Sequence, residues 1–215
     1  MIRFFTPLRL LLLAALFVAL VAGFVLVPAG ATLPVHWGFD GEADAFLPRD
    51  LALLMPAAAV ALVWGIFLVV SRIARPADID AGRYVTAVTL TALTAMFLVI
   101  EIVLVLIGIG TPVNAVQIVA LAIGVLLVVL GNAMPKSRPN SFAGIRMPTT
   151  LRDPANWQAT HRLGGVLCIV GGLVLLVAAL LVPAPQLMWW LVGCVLVPVL
   201  TAAGYSLVHA RQHHA

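Results

Sequence analysis

Six stretches of about 20 apolar residues dominate this chain, near residues 8–28, 51–71, 84–108, 113–133, 163–182 and 186–208. Each is long enough to cross the roughly 30 Å hydrocarbon core of a bilayer at 1.5 Å rise per residue. Hydrocarbon offers the backbone no hydrogen bonds, so apolar stretches of this length cross as helices. Hydrophobic residues make up 63% of the 215 positions and charged residues only 9%, against about a quarter in soluble domains. A water-soluble domain is thereby excluded. The expectation is an all-α polytopic membrane protein with six transmembrane helices.

Two connections are very short, Gly110-Thr111-Pro112 and Pro183-Ala184-Pro185. Each marks a tight reversal, so spans three and four form one hairpin and spans five and six another. Pro56 and Pro198 fall inside spans, where membrane helices tolerate them. Cys168 and Cys194 lie in apolar runs and read as small packing residues. With six spans, Arg3, Arg9, Arg72, Arg75, Arg83, Lys136, Arg138, Arg146, Arg152, Arg162 and Arg211 share one side, and Arg49 alone lies on the other. The positive-inside rule then makes both termini cytoplasmic. Topology accounts for the net charge of +4, so direct nucleic-acid binding is not expected. Residues 1–31 also have the shape of a signal peptide ending in Ala29-Gly30-Ala31. Its apolar run of about 18 residues exceeds the usual 7–15, which favours a retained first helix.

Two loops carry most of the remaining chemistry. The outer one, residues 29–50, reads AGATLPVHWGFDGEADAFLPRD and places a turn at Asp40-Gly41. His36, Asp40, Glu42 and Asp44 crowd within nine residues. They are a candidate divalent-metal set, but neither His-x-x-His nor EF-hand spacing is present. A structured acidic turn with Trp37 and Phe46 as interfacial anchors is the favoured reading, and no metal or cofactor is assigned. Asp40, Glu42, Asp44 and Asp50 against Arg49 give the loop three net negative charges, which suits a cationic peptide.

The inner loop lies within GNAMPKSRPNSFAGIRMPTTLRDPANWQATHRLGG, residues 131–165, with five basic residues and one acid. Contact with anionic headgroups explains the charge. Gly144 and the prolines imply more, a defined turn path. Asp153-Pro154 reads as a helix start, with Thr150 as a weaker alternative cap. The helix that follows places Trp157 and His161 on one face at i, i+4, with Trp157 expected at headgroup level. His161 and Arg162 fall beside Gly164 and Gly165, which permit close helix approach. A folded plug is expected here. His161 with Asp153 and Thr150 or Thr160 can be drawn as a nucleophilic set, yet no nucleophile elbow, HExxH or phosphate loop accompanies them. The chain is not expected to be an enzyme.

Glu101 lies near the middle of span three. An acid there faces the bundle interior and by default marks a functional site, often a proton or ion step. Asn114 and Gln117 are its candidate neighbours.

These residues carry a resemblance. The elements G-N, P-N-x-x-x-G-I-R-x-P-x-T-L and W-x-x-T-H-R within residues 131–162 resemble the signature of the SdpI family of bacterial membrane proteins. The segment LPVHWGFDGEADAF is similar to the P-x-H-(W/F)-x-x-x-G-x-x-D stretch of the small DUF1648 domain, often found at the N-terminus of such proteins. Length, span number and the order of the two elements also agree, over essentially the whole chain. The division implied is a DUF1648-like module at 1–83 and an SdpI-like module at 84–215 with a structured cytoplasmic loop at 134–162. The resemblance implies an inner-membrane immunity protein against a secreted, membrane-damaging peptide, which also holds a transcriptional repressor at the membrane when occupied by toxin. Carried onto this chain, the cytoplasmic motif positions are Asn132, Pro139, Asn140, Gly144, Ile145, Arg146, Pro148, Thr150, Leu151, Trp157, Thr160, His161 and Arg162. Those of the outer loop are Pro34, His36, Trp37, Gly41 and Asp44, beside which Asp40 is a further ligand-binding candidate. The expected partners are the lipid bilayer, a cationic or hydrophobic peptide toxin and a cytoplasmic repressor. The alternatives are a small proton- or ion-coupled transporter using Glu101, and an intramembrane lipid-acting enzyme using His161, Asp153 and Arg146.

Overall fold

The computed structural model describes residues 4–213; Arg3, counted above in the charge bias, lies outside them. The long helices are α1 (Pro7–Leu26), α2 (Arg49–Ile73), α3 (Pro76–Gly108), α4 (Ala115–Ala133), α6 (Pro154–Leu181) and α7 (Ala184–His213), with a short α5 (Pro148–Arg152) before α6. Among the described residues, six helices are long and apolar enough to cross a membrane. Leu11, Phe17, Leu62, Val69, Leu180 and Leu200 are more than half exposed, as side chains facing lipid are. The protein is thus a six-span helical membrane protein.

One element was not expected. Strands β1 (Thr32–Trp37) and β2 (Ala43–Pro48) form an antiparallel hairpin between α1 and α2. Pro34 pairs with Phe46, His36 with Ala45 and Trp37 with Ala43, so the register slips on both sides of His36. Slips of this kind re-aim side chains, and Pro34, Val35, His36 and Trp37 all reach one cavity. At the tip, Phe39 stacks on Trp189 of α7 at 4.7 Å, and Gly41 sits against Ala184 and Pro185. At the base, Arg49 donates to Val27 O at 2.9 Å, closing the C-terminus of α1. The hairpin therefore bridges the first and last spans.

Helix α3 is the second difference. It begins at Pro76 rather than near residue 84 and runs unbroken through Arg83 and Tyr84. Pro76 suits the first helical position, and the polar turns that follow carry Arg75–Asp78 and Arg83–Asp80 pairs. Arg9 also differs from its expected place ahead of span one. It lies inside α1, is 4% exposed, and donates to Thr91 Oγ1 at 2.8 Å and Ala87 O at 2.6 Å on α3. It ties two helices together instead of lying free at the surface.

The closest helix contact joins α4 and α6. Gly131 faces the Gly165 carbonyl and Gly124 the Gly172 carbonyl. Each pair is seven residues from the next on both antiparallel helices, so the two backbones approach closely at points two turns apart. Helices in lipid lack a hydrophobic drive to associate, and such contacts between small residues supply packing instead. A Cβ at Gly131 or Gly165 would lie 2.6 Å from the opposing carbonyl oxygen, a distance that requires the helices to part. Gly131→Leu or Gly165→Leu is expected to abolish monodisperse folded protein in detergent, read by fluorescence-detected size exclusion. Gly65→Leu, at a glycine with nothing within 4 Å, is expected to leave the yield unchanged.

Candidate functional site

The sequence-derived residues separate into a basic-face plug, a hairpin-face chamber and an intramembrane acid. In the plug, the loop after α4 turns through Met134–Lys136 and is organised by Asn140. Asn140 Oδ1 accepts from the N–H groups of Phe142 and Ala143, and Nδ2 donates to the carbonyls of Arg138 and Ala143. One side chain thus holds the whole turn. Gly144 follows at φ +106°, and a Cβ there would strike His161 Nε2. Only glycine meets both demands.

His161 is fully buried and stacks on Trp157 at 4.1 Å. Its Nδ1 lies 2.8 Å from Trp157 O, and its Nε2 accepts from Ile145 N–H at 3.0 Å. A carbonyl accepts and an amide donates, so the network assigns the proton to Nδ1. Both ring nitrogens are occupied in joining loop to helix. Thr150 Oγ1 accepts from Met147 N–H and lies 2.9 Å from Ile145 O, with Pro148 opening α5. Trp157, expected at headgroup level, is instead wholly buried in protein, its Nε1–H 3.2 Å from Ser137 O. The plug folds over it. Asp153 caps α6 by accepting from Ala155 N–H at 2.8 Å, ahead of Pro154.

Asn156 and Ser206, which sequence reasoning did not single out, lock α6 to α7. Asn156 Nδ2 donates to Ser206 O, while Ser206 Oγ and Thr160 Oγ1 both donate to Asn156 Oδ1. Thr149 Oγ1 lies 2.6 Å from Ser206 Oγ. Asn132, Arg146 and Arg162 remain exposed. The motif therefore divides into buried residues that build the plug and exposed ones that it presents.

On the opposite face, the hairpin roofs an apolar chamber of about 400 Å³, within the range of small-ligand sites. Its walls include His36 and Trp37, Met55 and Ala59 of α2, Val116 of α4 and Met188 of α7. His36 Nδ1 lies 2.5 Å from Asp44 Oδ1 at the rim. Asp40 Oδ1 instead accepts from Glu42 N–H in the turn. Among the described residues no three of the metal-competent side chains converge.

Glu101 is fully buried, and among the described residues neither carboxylate oxygen has a hydrogen-bond partner. By helical periodicity it lies between the layer of Leu90 and Thr94 and that of Val105 and Gly108, all on the side of α3 packed against α1 and α2. The expected neighbours do not reach it. Gln117 Nε2 donates to Ala179 O on α6, and Asn114 caps α4.

Residues 136–207 match the model of the SdpI/YfhL protein family. The match covers a third of the chain and marks a membrane protein of this broad type, residing in the bacterial inner membrane. It begins in the plug and does not reach the hairpin. No curated protein and no solved structure matches the chain.

The plug geometry makes a stability prediction. His161→Ala removes the only acceptor seen for Ile145 N–H and the ring stacked on Trp157, a loss of about 1–3 kcal/mol for the unmet donor alone. Trypsin is expected to cut after Lys136 and Arg146 at least tenfold faster in that variant. Arg146→Ala, at an exposed position, is expected to leave cleavage after Lys136 unchanged.

Proposed function

We propose that this chain is a binding protein of the immunity or sensor kind. In this reading the hairpin-face chamber receives the apolar side of a membrane-active peptide. The observation carrying it is the chamber itself, which joins the acidic hairpin to an apolar volume inside the bundle. A peptide that damages membranes presents cationic and apolar faces. Asp40, Glu42 and Asp44 complement the first, and the chamber walls complement the second. The basic face is taken as cytoplasmic by the charge rule, with the hairpin facing outward.

The same reading gives the plug an output role. Helix α7 touches the hairpin through Trp189 and the plug through Ser206, seventeen residues and about 25 Å apart. A ligand transmits a signal along it only by favouring one of two arrangements of the bundle. Arg146, Arg152 and Arg162 are exposed for contact with headgroups or a cytoplasmic repressor. The occupied ring nitrogens of His161 and the capping role of Asp153 favour binding over turnover.

A carrier is the second reading, favoured by Glu101. An ionised carboxylate buried without a partner costs several kcal/mol, so this position demands a proton or a cation. Survival and membrane potential in a sensitive host, challenged with the SdpI-family killing-factor peptide, separate the two. At matched expression, wild type is expected to protect, His36→Ala to weaken protection, and Ala59→Phe, which fills the chamber, to lower it at least tenfold. Absence of protection by wild type would contradict the immunity reading. Glu101→Gln is expected to spare protection. If it alone abolishes a proton flux measured in liposomes, the carrier reading replaces the first.

A further inference from the structure

A second cavity, of about 560 Å³, lies on the other side of α3 and serves none of the roles above. It is a groove between α3 and α4, bounded by Ala92, Ala95 and Val99 on one wall and Ala122, Val125 and Val129 on the other. Val125 is half-exposed and Val129 more than a third, so the groove opens sideways to where lipid lies. From Tyr84 to Val99 it follows fifteen residues of α3, about 22 Å. One leaflet of hydrocarbon is about 15 Å deep. The groove is long enough for an entire acyl chain.

Its basic-face end is polar. Tyr84 lines that end, and Lys136 Nζ lies 3.2 Å from the Tyr84 hydroxyl and 5.0 Å from its ring centroid. Lys136 is exposed, and its ammonium has three donors, of which the phenol takes one. Arg138 and Arg83 flank it, both within ion-pair distance of Asp80, which leaves this end net positive. Arg9 enters the wall one to two turns deeper, fixed by Thr91 and the Ala87 carbonyl. An apolar trough one leaflet deep, ending in a lysine at the interface, has the chemistry of a phospholipid.

We propose that the groove between α3 and α4 is a site for one anionic phospholipid, with an acyl chain along Ala92, Ala95 and Val125 and its phosphate at Lys136 and Tyr84. The occupant is lipid rather than peptide because the groove opens into the bilayer beside the positively charged face, where anionic headgroups concentrate. Its role is to cement α3 to α4.

Native mass spectrometry of the full-length protein released from nanodiscs tests this directly. The probes are phosphatidylglycerol and phosphatidylcholine with identical acyl chains, supplied in equal amounts. Wild type is expected to retain one phosphatidylglycerol with at least fivefold preference, the size of one basic residue's contribution near an anionic surface. Lys136→Ala is expected to reduce that preference toward unity while still holding lipid. Ala95→Phe, which fills the trough, is expected to lose both lipids. The melting temperature of each variant in detergent identifies one that has failed to fold. Should Ala95→Phe misfold, Val125→Trp at the groove's open lip replaces it, with the same loss expected. Equal retention of the two lipids by wild type overturns the proposal, as does undiminished retention by a folded groove-filled variant.

Discussion

The contact between α4 and α6 fixes everything on the basic face. Gly124, Gly131, Gly165 and Gly172 let two antiparallel backbones touch at intervals of two turns. In lipid this is the kind of packing that side-chain burial alone does not provide. The seam continues directly into the plug. Pro135 rests on Gly165, and Met134 and Ile145 rest on Gly164. The loop from 134 to 153 is consequently laid down on an already fixed helix pair, which is how a stretch with little regular structure keeps His161 and Trp157 buried. Asn140, Thr150 and His161 then satisfy its backbone polar groups, a requirement for any buried loop.

The hairpin face is built by a different rule. There β1 and β2 are short, and their stability depends on what they touch: Leu33 in a layer with Val27 and Leu53, and Phe39 on Trp189. The result spans the bundle's mouth and leaves an apolar volume beneath it. The plug is fully packed where the hairpin encloses space. In the proposed function, the hairpin face takes the input and the plug face gives the output. Helix α7, in contact with both, is the physical connection, and Pro198 inside it is a local weakness in its hydrogen-bond ladder.

Span number and approximate limits were legible because length and hydropathy are local properties. Asp153-Pro154 was legible for the same reason, since a cap and its proline sit side by side. The pairing of Trp157 with His161 followed from helical spacing, but the burial of Trp157 depended on Ser137, twenty residues away. The turn at Asp40-Gly41 was visible and its flanking strands were not, because Pro34 and Pro48 interrupt segments of only six residues. Gly164 and Gly165 announced close approach, yet that Gly165 meets Gly131 of α4 required knowing which helices pack together. The start of α3 was missed because Asp78, Asp80 and Arg83 end the hydropathy signal without ending the helix. Gln117 pointed toward Glu101 in sequence order and toward Ala179 in space. The α3–α4 groove has no sequence signature, since its walls are mostly alanines and valines.

In the proposed function, the chamber under the hairpin is where a membrane-active peptide binds. Photo-cross-linking in native membranes tests it most directly, with benzoylphenylalanine placed at Met188 on the chamber wall or at Leu62 on the lipid-exposed side of α2. Challenge with the killing-factor peptide should give a covalent adduct at Met188, competed by unlabelled peptide, and only background at Leu62. Equal adduct at both positions, or none at Met188 in a protein that still protects, would place the peptide outside the chamber and rule out binding there.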